Sequence, residues 1–251
     1  MKNIHIHIES AGYNKMKNVL SDINLTIPGA AMTALLGPNG AGKTTMLHSI
    51  GGLIPEHFKG KIDFGNDIDK VQIAMVEQST SSLPMSVYEY VMTGRIAHRG
   101  LFDVLDSKKD LHVAEQAMRE VDILHLANRK MGHLSSGERQ LCSIARAMTQ
   151  EPDIMLLDEP ISNLDIKNQE QIMHLLKDII VRHTTTIVIV IHDINIASRY
   201  ADNIVILNDG RVLTDGPTEE SLSEDILSRA YGVQLQRIDL PLTKPHIFIP
   251  K

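Results

Sequence analysis

The chain has 251 residues, 43% of them hydrophobic, and 25 Lys and Arg stand against 31 Asp and Glu for a formal charge of −6. That length and apolar content can bury a substantial core, which excludes a disordered chain. The acidic balance excludes a general nucleic-acid binder, because that binding rests on neutralising phosphates. The single cysteine, Cys142, cannot close an internal disulfide and suits a reducing compartment. The N-terminus MKNIHIHIES has no apolar leader core. The purest apolar run, residues 187–191, is far shorter than the about 20 residues a spanning helix needs. The expectation is a cytosolic protein that would work at a membrane only through a partner.

In chain order, residues 3–8 alternate with period two and read as a half-buried strand, with His5 and His7 on its solvated face. Residues 19–27 read as a second strand, Pro28-Gly29 as a turn, and the apolar run 31–36 as a strand buried on both faces. A glycine-rich segment, residues 37–42, precedes a helix over 43–51. Residues 60–78 read as two short strands. From 82 to 150 the pattern turns helical, with a capping box at Ser86 and Glu89 and an apolar stripe of Leu111, Ala114, Met118 and Val121. Residues 153–157 read as another buried strand. Ile172, Leu175, Leu176, Ile179 and Ile180 form a second helical stripe, and residues 186–191 a β-branched strand. Residues 204–214 read as a hairpin turning at Asp209-Gly210. The tail starts helically behind a capping box at Ser221 and Glu224 and ends extended. Strands alternating with helices predict a mainly parallel α/β sheet, interrupted by an inserted helical subdomain.

Residues 37–45, GPNGAGKTT, match G-x-x-x-x-G-K-[ST] between an apolar strand and a helix. Gly37, Pro38, Asn39, Gly40, Ala41 and Gly42 let the backbone wrap a phosphate and aim N–H groups at it. Lys43 adds a charge near the β- and γ-phosphates, the Thr44 hydroxyl suits Mg²⁺, and the helix carrying Thr45 turns its positive end to the anion. Asp158 and Glu159 follow the strand IMLL directly. Phosphoryl transfer asks for placed charge, a metal and an oriented nucleophile, so Asp158 reads as the acid on the metal side and Glu159 as the general base.

Between these motifs stands LSSGE, residues 134–138, and here the chain resembles the nucleotide-binding subunit of an ATP-binding cassette (ABC) transporter. The resemblance covers residues 1 to about 220, with the family's elements in the family's order. It implies a P-loop NTPase fold with a RecA-like, mainly parallel sheet, an N-terminal antiparallel β-subdomain and an α-helical subdomain. The implied boundaries are a core of 1–81 and 151–220, a helical subdomain of about 82–150, and a C-terminal tail of 221–251. Tyr13 matches the family's aromatic adenine platform, and its ring suits stacking on a purine. Gln78 matches the glutamine loop, with a role at nucleotide and metal. Ser135 and Gly137 match the signature, implied to reach the γ-phosphate held by an opposite subunit. Asp158 and Glu159 match the Walker B acids, Ser162-Asn163-Leu164-Asp165 the D-loop, and His192 the switch histidine. Lys43, Glu159 and His192 are the implied catalytic residues; Thr44, Gln78 and Asp158 are the implied metal ligands. ATP and Mg²⁺ are the implied cofactors. The signature departs from the commoner Leu-Ser-Gly-Gly-Gln at Ser136 and Glu138, and the stretch from the phosphate loop to Gln78 is short, which implies a trimmed β-subdomain.

Residues 87–98 (VYEYVMTGRIAH) and 164–169 (LDIKNQ) resemble the importers of iron–siderophore, heme and cobalamin chelates. The implied partners are a second copy of the chain, an integral membrane permease docked near residues 82–100 at the cytoplasmic face, and indirectly a substrate-binding protein; no nucleic acid is implied. The alternatives are another ABC transporter class or a non-transport ABC ATPase, such as that of an iron–sulfur assembly complex. Chromosome-type members carry long coiled coils that have no room here, and translation factors carry two cassettes in one chain.

Overall fold

The computed structural model describes residues 3–13, 18–53, 55–65, 71–77, 84–98, 107–238 and 246–251. Its strands are β1 (Ile4–Gly12), β2 (Leu20–Ile27), β3 (Met32–Leu36), β4 (His57–Asp63), β5 (Ile73–Val76), β6 (Ile154–Asp158), β7 (Thr186–Val190), β8 (Asn203–Asn208), β9 (Arg211–Pro217), β10 (Leu235–Ile238) and β11 (Ile247–Pro250). Its helices are α1 (Lys43–Ile50), α2 (Val87–Met92), α3 (Lys108–Glu120), α4 (Ser136–Met148), α5 (Ile166–His183), α6 (Ile194–Tyr200), α7 (Thr218–Ser221) and α8 (Glu224–Tyr231).

The central sheet runs β5-β6-β7-β3-β8-β9, parallel throughout except for the β8–β9 hairpin. Strands β3 and β7 are buried along their whole length, because a parallel sheet is covered on both faces. Their side chains alternate between two cores. Met32, Ala34, Leu36, Ile187 and Ile189 enter the larger core with α2 to α5, while Leu35, Val188 and Val190 enter the smaller one against β1, β2 and α1. Strands β2-β1-β4 form the N-terminal antiparallel sheet, whose buried Ile4, Ile6 and Ile8 alternate with exposed His5 and His7. The fold is thus the α/β P-loop arrangement with an antiparallel β-sheet and packed helices that the motifs implied.

Local chemistry sets the element ends. Ser86, Ser107 and Ser135 each close a capping box, with Glu89, Asp110 and Glu138 respectively. Asp209 and Gly210, at φ 47° and 74°, make the left-handed two-residue turn that the β8–β9 twist requires. Two expectations need correction. Leu111 is 39% exposed, and the inward face of α3 is instead Asp110, Ala114, Ala117 and Met118. Ser221 is the last residue of α7, so it does not cap the next helix; Ser223 does, accepting from the Ile226 N–H. The sheet β10–β11 returns the chain onto α6. Among the described residues no helix is long and apolar enough to cross a membrane.

Candidate functional site

Three adjacent strands, β6, β7 and β3, end side by side, and the residues that follow them are the phosphate loop, Glu159 and His192. In an open parallel sheet the carboxyl ends of such strands form the binding crevice. The loop is pinned at its edges. The Gly37 N–H donates to Tyr231 Oη (3.1 Å), and the Gly210 N–H donates to the Ala41 carbonyl (3.2 Å). Gly37 admits no side chain, since a Cβ there would stand 2.1 Å from the Leu207 carbonyl oxygen.

Helix α1 starts on Gly42 in the left-handed region (φ 100°) with no side-chain cap, whereas α2 to α6 are each capped by a serine or aspartate. Its first-turn N–H groups are therefore left for an anion. Lys43, 6% exposed, curls back to donate to the Gly37 (2.8 Å) and Pro38 (2.9 Å) carbonyls. Burial lowers its pKa from the usual lysine range, and the carboxylates of Glu159 and Asp158 pull it back up. The ammonium thus sits inside the loop, facing both acids.

Asp158 closes β6. Burial raises its carboxyl above the usual range, partly opposed by a hydrogen bond from the Thr44 side chain, and its Oδ1 is buried with no partner among the described residues. An unsatisfied buried carboxylate oxygen beside a hydroxyl is the hard oxygen donor set that suits Mg²⁺. Glu159 adopts φ 49°, a left-handed conformation that costs a non-glycine residue about 1–3 kcal/mol. Both the N–H and the hydroxyl of Ser162 donate to its carbonyl (3.2 and 2.9 Å), fixing that turn. Its Oε1 lies 2.5 Å from His192 Nε2, joining the ends of β6 and β7. A small cavity of about 100 Å³ adjoins the pair, lined by Ser162 and Gln169 among others. A larger cavity, near 300 Å³, lies elsewhere, between α3 and α5.

The signature residues form a second cluster. Ser135 caps α4, accepting from the Glu138 N–H (3.2 Å) while Glu138 Oε2 accepts from the Ser135 N–H (2.7 Å). The Ser135 backbone bond holds the Glu138 carboxyl below its usual range against its partial burial. Gly137 packs on Asn168, whose side chain would stand 2.9 Å from a Cβ there. The Asn168 N–H in turn donates to Asp165, the cap of α5 (2.8 Å). The signature therefore packs on the first turn of the helix that follows the D-loop. No hydrogen bond or ion pair among the described residues joins them to the phosphate loop. Tyr13 lies 51% exposed just past β1, open to a stacking partner. Gln78 lies outside the described residues. Tyr231 carries no motif and had no sequence signal, and Asn168 lies in the LDIKNQ stretch with no role of its own assigned there; each gains a role only through its contact with a motif glycine.

An uncapped helix behind a glycine loop, facing a half-buried metal-type acid and a strained glutamate, is the chemistry of a P-loop ATPase. Residues 20–162 match the ABC transporter family, to which the chain belongs. It is 33% identical to the ferric enterobactin transport ATP-binding protein FepC of Escherichia coli, over 95% of this chain and 90% of that one. It is 34% identical to the hemin import ATP-binding protein HmuV of Vibrio parahaemolyticus, over 85% of each. Among solved structures, a metal-chelate type ABC transporter in an inward-facing conformation superposes with a TM-score of 0.88 at 29% identity, over 100% of this chain and 98% of that one.

Proposed function

We propose that the chain is the ATP-hydrolysing subunit of an importer of metal chelates, of the iron–siderophore, heme or cobalamin class, acting on a separate membrane permease. Two copies would work head to tail at the cytoplasmic face, each lending Ser135 and Gly137 to nucleotide held on the other's residues 37–45. A substrate-binding protein outside would deliver the chelate. The substrate class is supported by the relatives named above and by the like motif around Gly94, Arg95 and His98.

The observation that carries the ATPase mechanism is the Glu159–His192 contact, set between the strand ends that bear the phosphate loop and Asp158. Residues 37–45 wrap the phosphates with backbone N–H groups, and Lys43 turns from the Gly37 and Pro38 carbonyls to the β- and γ-phosphates. Tyr13 stacks on the adenine. Thr44 and Asp158, with Gln78, would hold Mg²⁺, which when bound neutralises charge on the transferred phosphoryl group. Glu159 accepts a proton from the attacking water, and His192 holds Glu159 in line for it. Asp165 keeps the D-loop against the signature helix. ATP-driven closure of the dimer would pass to the permease through the turn near residue 96, where Ile96 is 59% exposed.

The test is Glu159→Gln in the full chain. It should retain ATP, lose turnover by at least about a hundredfold and accumulate a nucleotide-bound dimer in size-exclusion chromatography; unimpaired hydrolysis removes Glu159 as base. Reconstitution with a membrane permease that co-purifies with the chain should give ATP-dependent uptake of a labelled ferric siderophore, heme or cobalamin. Hydrolysis stimulated by another solute class, or co-purification with a soluble scaffold, would reassign the partner while leaving the ATPase intact.

A further inference from the structure

The residues after β9 grip both walls of the nucleotide site. Helix α8 is amphipathic, buries Leu227 and Ala230, and ends on Tyr231. The Tyr231 hydroxyl accepts the N–H of Gly37, the first residue of the phosphate loop, from 194 positions away. Burial raises the pKa of this phenol, so the group stays a neutral hydroxyl at working pH. Gly37 has no slack on its other side, where the Leu207 carbonyl closes on its Cα. The entry of the loop is thus clamped between α8 and the end of β8.

A second contact reaches the opposite wall. Helix α6 begins two residues after His192 and is capped by Asp193, which accepts from the Asn195 and Ile196 N–H groups. The Asn195 amide then pairs with the backbone of Phe248 in β11: its Oδ1 accepts from the Phe248 N–H (2.8 Å) and its Nδ2 donates to the Phe248 carbonyl (3.3 Å). Phe248 is 4% exposed, and the Ser198 hydroxyl donates to the His246 carbonyl one turn further along α6 (3.2 Å).

We propose that the C-terminal segment positions the catalytic site, with Tyr231 setting the start of the phosphate loop and the Asn195–Phe248 pair setting the helix that follows His192. Tyr231 and Asn195 are positioning residues; neither touches nucleotide. The proposal rests on residues 37–45 being the phosphate-binding loop. Its physical basis is preorganisation: a loop already held in its binding shape has less freedom to lose when ATP arrives. The two contacts should act on different kinetic constants, since one fixes a binding element and the other the orientation of a residue used in the chemical step.

Steady-state ATP hydrolysis by the full-length chain separates the outcomes. Tyr231→Phe deletes one oxygen and one hydrogen bond, and should raise KM for ATP about two- to tenfold while keeping kcat. Asn195→Ala should lower kcat by a similar factor, about two- to tenfold, while keeping KM. A purely structural tail would instead lower the melting temperature of both variants without that split, and this result overturns the proposal. Lys43→Ala is the control for the underlying reading. If it loses nucleotide while Tyr231→Phe keeps the wild-type KM, the tail has no hold on the loop and only this proposal falls. If Lys43→Ala binds ATP normally, the loop assignment falls and the proposal with it. Hydrogen–deuterium exchange over residues 37–42 is a second readout without turnover: faster exchange in Tyr231→Phe supports the clamp, and unchanged protection refutes it.

Discussion

Arg95 is the least exposed cation of the described residues, at 2%, and its removal is the sharpest test of how the helices are joined to the sheet. Its Nε donates to Asp110 Oδ1 (2.8 Å), and its Nη1 to the Thr149 carbonyl (2.6 Å) and to Glu151 Oε2 (2.7 Å). Those acceptors stand in the first turn of α3 and just past the end of α4, so one guanidinium fastens the turn at 93–98 to both. Arg95→Ala removes one donor from each. Breaking a buried ion pair costs about 3–5 kcal/mol. The Glu151 side chain is 46% exposed and can be rehydrated, so its arm contributes at most about 1 kcal/mol. The Asp110 side chain is 11% exposed but keeps the Ser107 N–H and hydroxyl, which places its cost at the low end. The loss should therefore be about 3 kcal/mol, out of a total of about 5–15 kcal/mol for a typical protein. With no tryptophan in the chain, the assay is urea unfolding followed by circular dichroism. For a slope of about 3 kcal/mol per molar, the midpoint should fall by about 1 M. Arg95→Lys, a point charge that cannot span three acceptors, should recover only part of this. A midpoint for Arg95→Ala within about 0.2 M of wild type would refute the hub.

The Asp110 carboxyl is lowered from 3.8 to about 2, first by the Ser107 hydroxyl and then by Arg95. A depressed carboxyl stabilises the fold above its unfolded value, so stability should fall as pH drops from about 4 to 2. Asp110→Asn should flatten that window in thermal melts, and an unchanged slope would argue against the pair. Gly37→Ala drives a Cβ into the Leu207 carbonyl and should cost about 1–3 kcal/mol along with nucleotide affinity. Gly40→Ala meets nothing within 4 Å and should cost only its left-handed strain, about 1 kcal/mol; equal losses in ATP titrations and melts would contradict the packing. Cys142 is fully buried, and burial pushes its thiol up to about 12. It should resist thiol reagents in native buffer and react promptly in urea, and rapid native labelling would refute its burial.

What could be read in the sequence depended on how local the cause was. Strands β3, β6 and β7 announced themselves as apolar runs because two-faced burial leaves room for few polar side chains. The capping boxes at Ser86 and Ser135 were legible because a cap and its partner lie three residues apart. The same local rule misplaced the cap near residue 221. Ser221 and Ser223 both precede acidic or apolar residues, and the choice falls to Ser223 because Ser221 is already spent as the buried end of α7. Leu111 fitted the helical spacing, yet Arg95 turns the face of α3 toward Asp110 instead, a pull that no period within α3 encodes. The phosphate loop and the acids were legible as motifs. What holds them was not, since Tyr231 meets Gly37 across most of the chain and Asn195 meets Phe248 across 53 positions.

The two helix starts implicated in phosphate binding are built differently, and the difference bears on how the site must assemble. Helix α1 begins on a glycine with no side-chain cap, so its N–H groups depend on a ligand for partners. Helix α4 begins on a completed Ser135–Glu138 box, with Glu138 also 3.6 Å from Arg129, so two of its N–H groups are satisfied within the chain. An uncapped start is costly to leave dry and suits tight primary binding. A capped start loses little by standing free and suits a contact made only when a second molecule arrives. Gly137 sharpens the point: the Asn168 side chain already occupies the space where a Cβ would stand, so the first turn of α4 is pressed onto the D-loop helix, and the two are positioned to move as one. On the proposed function, a single chain would therefore carry one site that needs nucleotide and one platform that does not. That is the division of labour the proposed head-to-tail pair would require, in which each copy would bind ATP alone and closure between copies would add the platform.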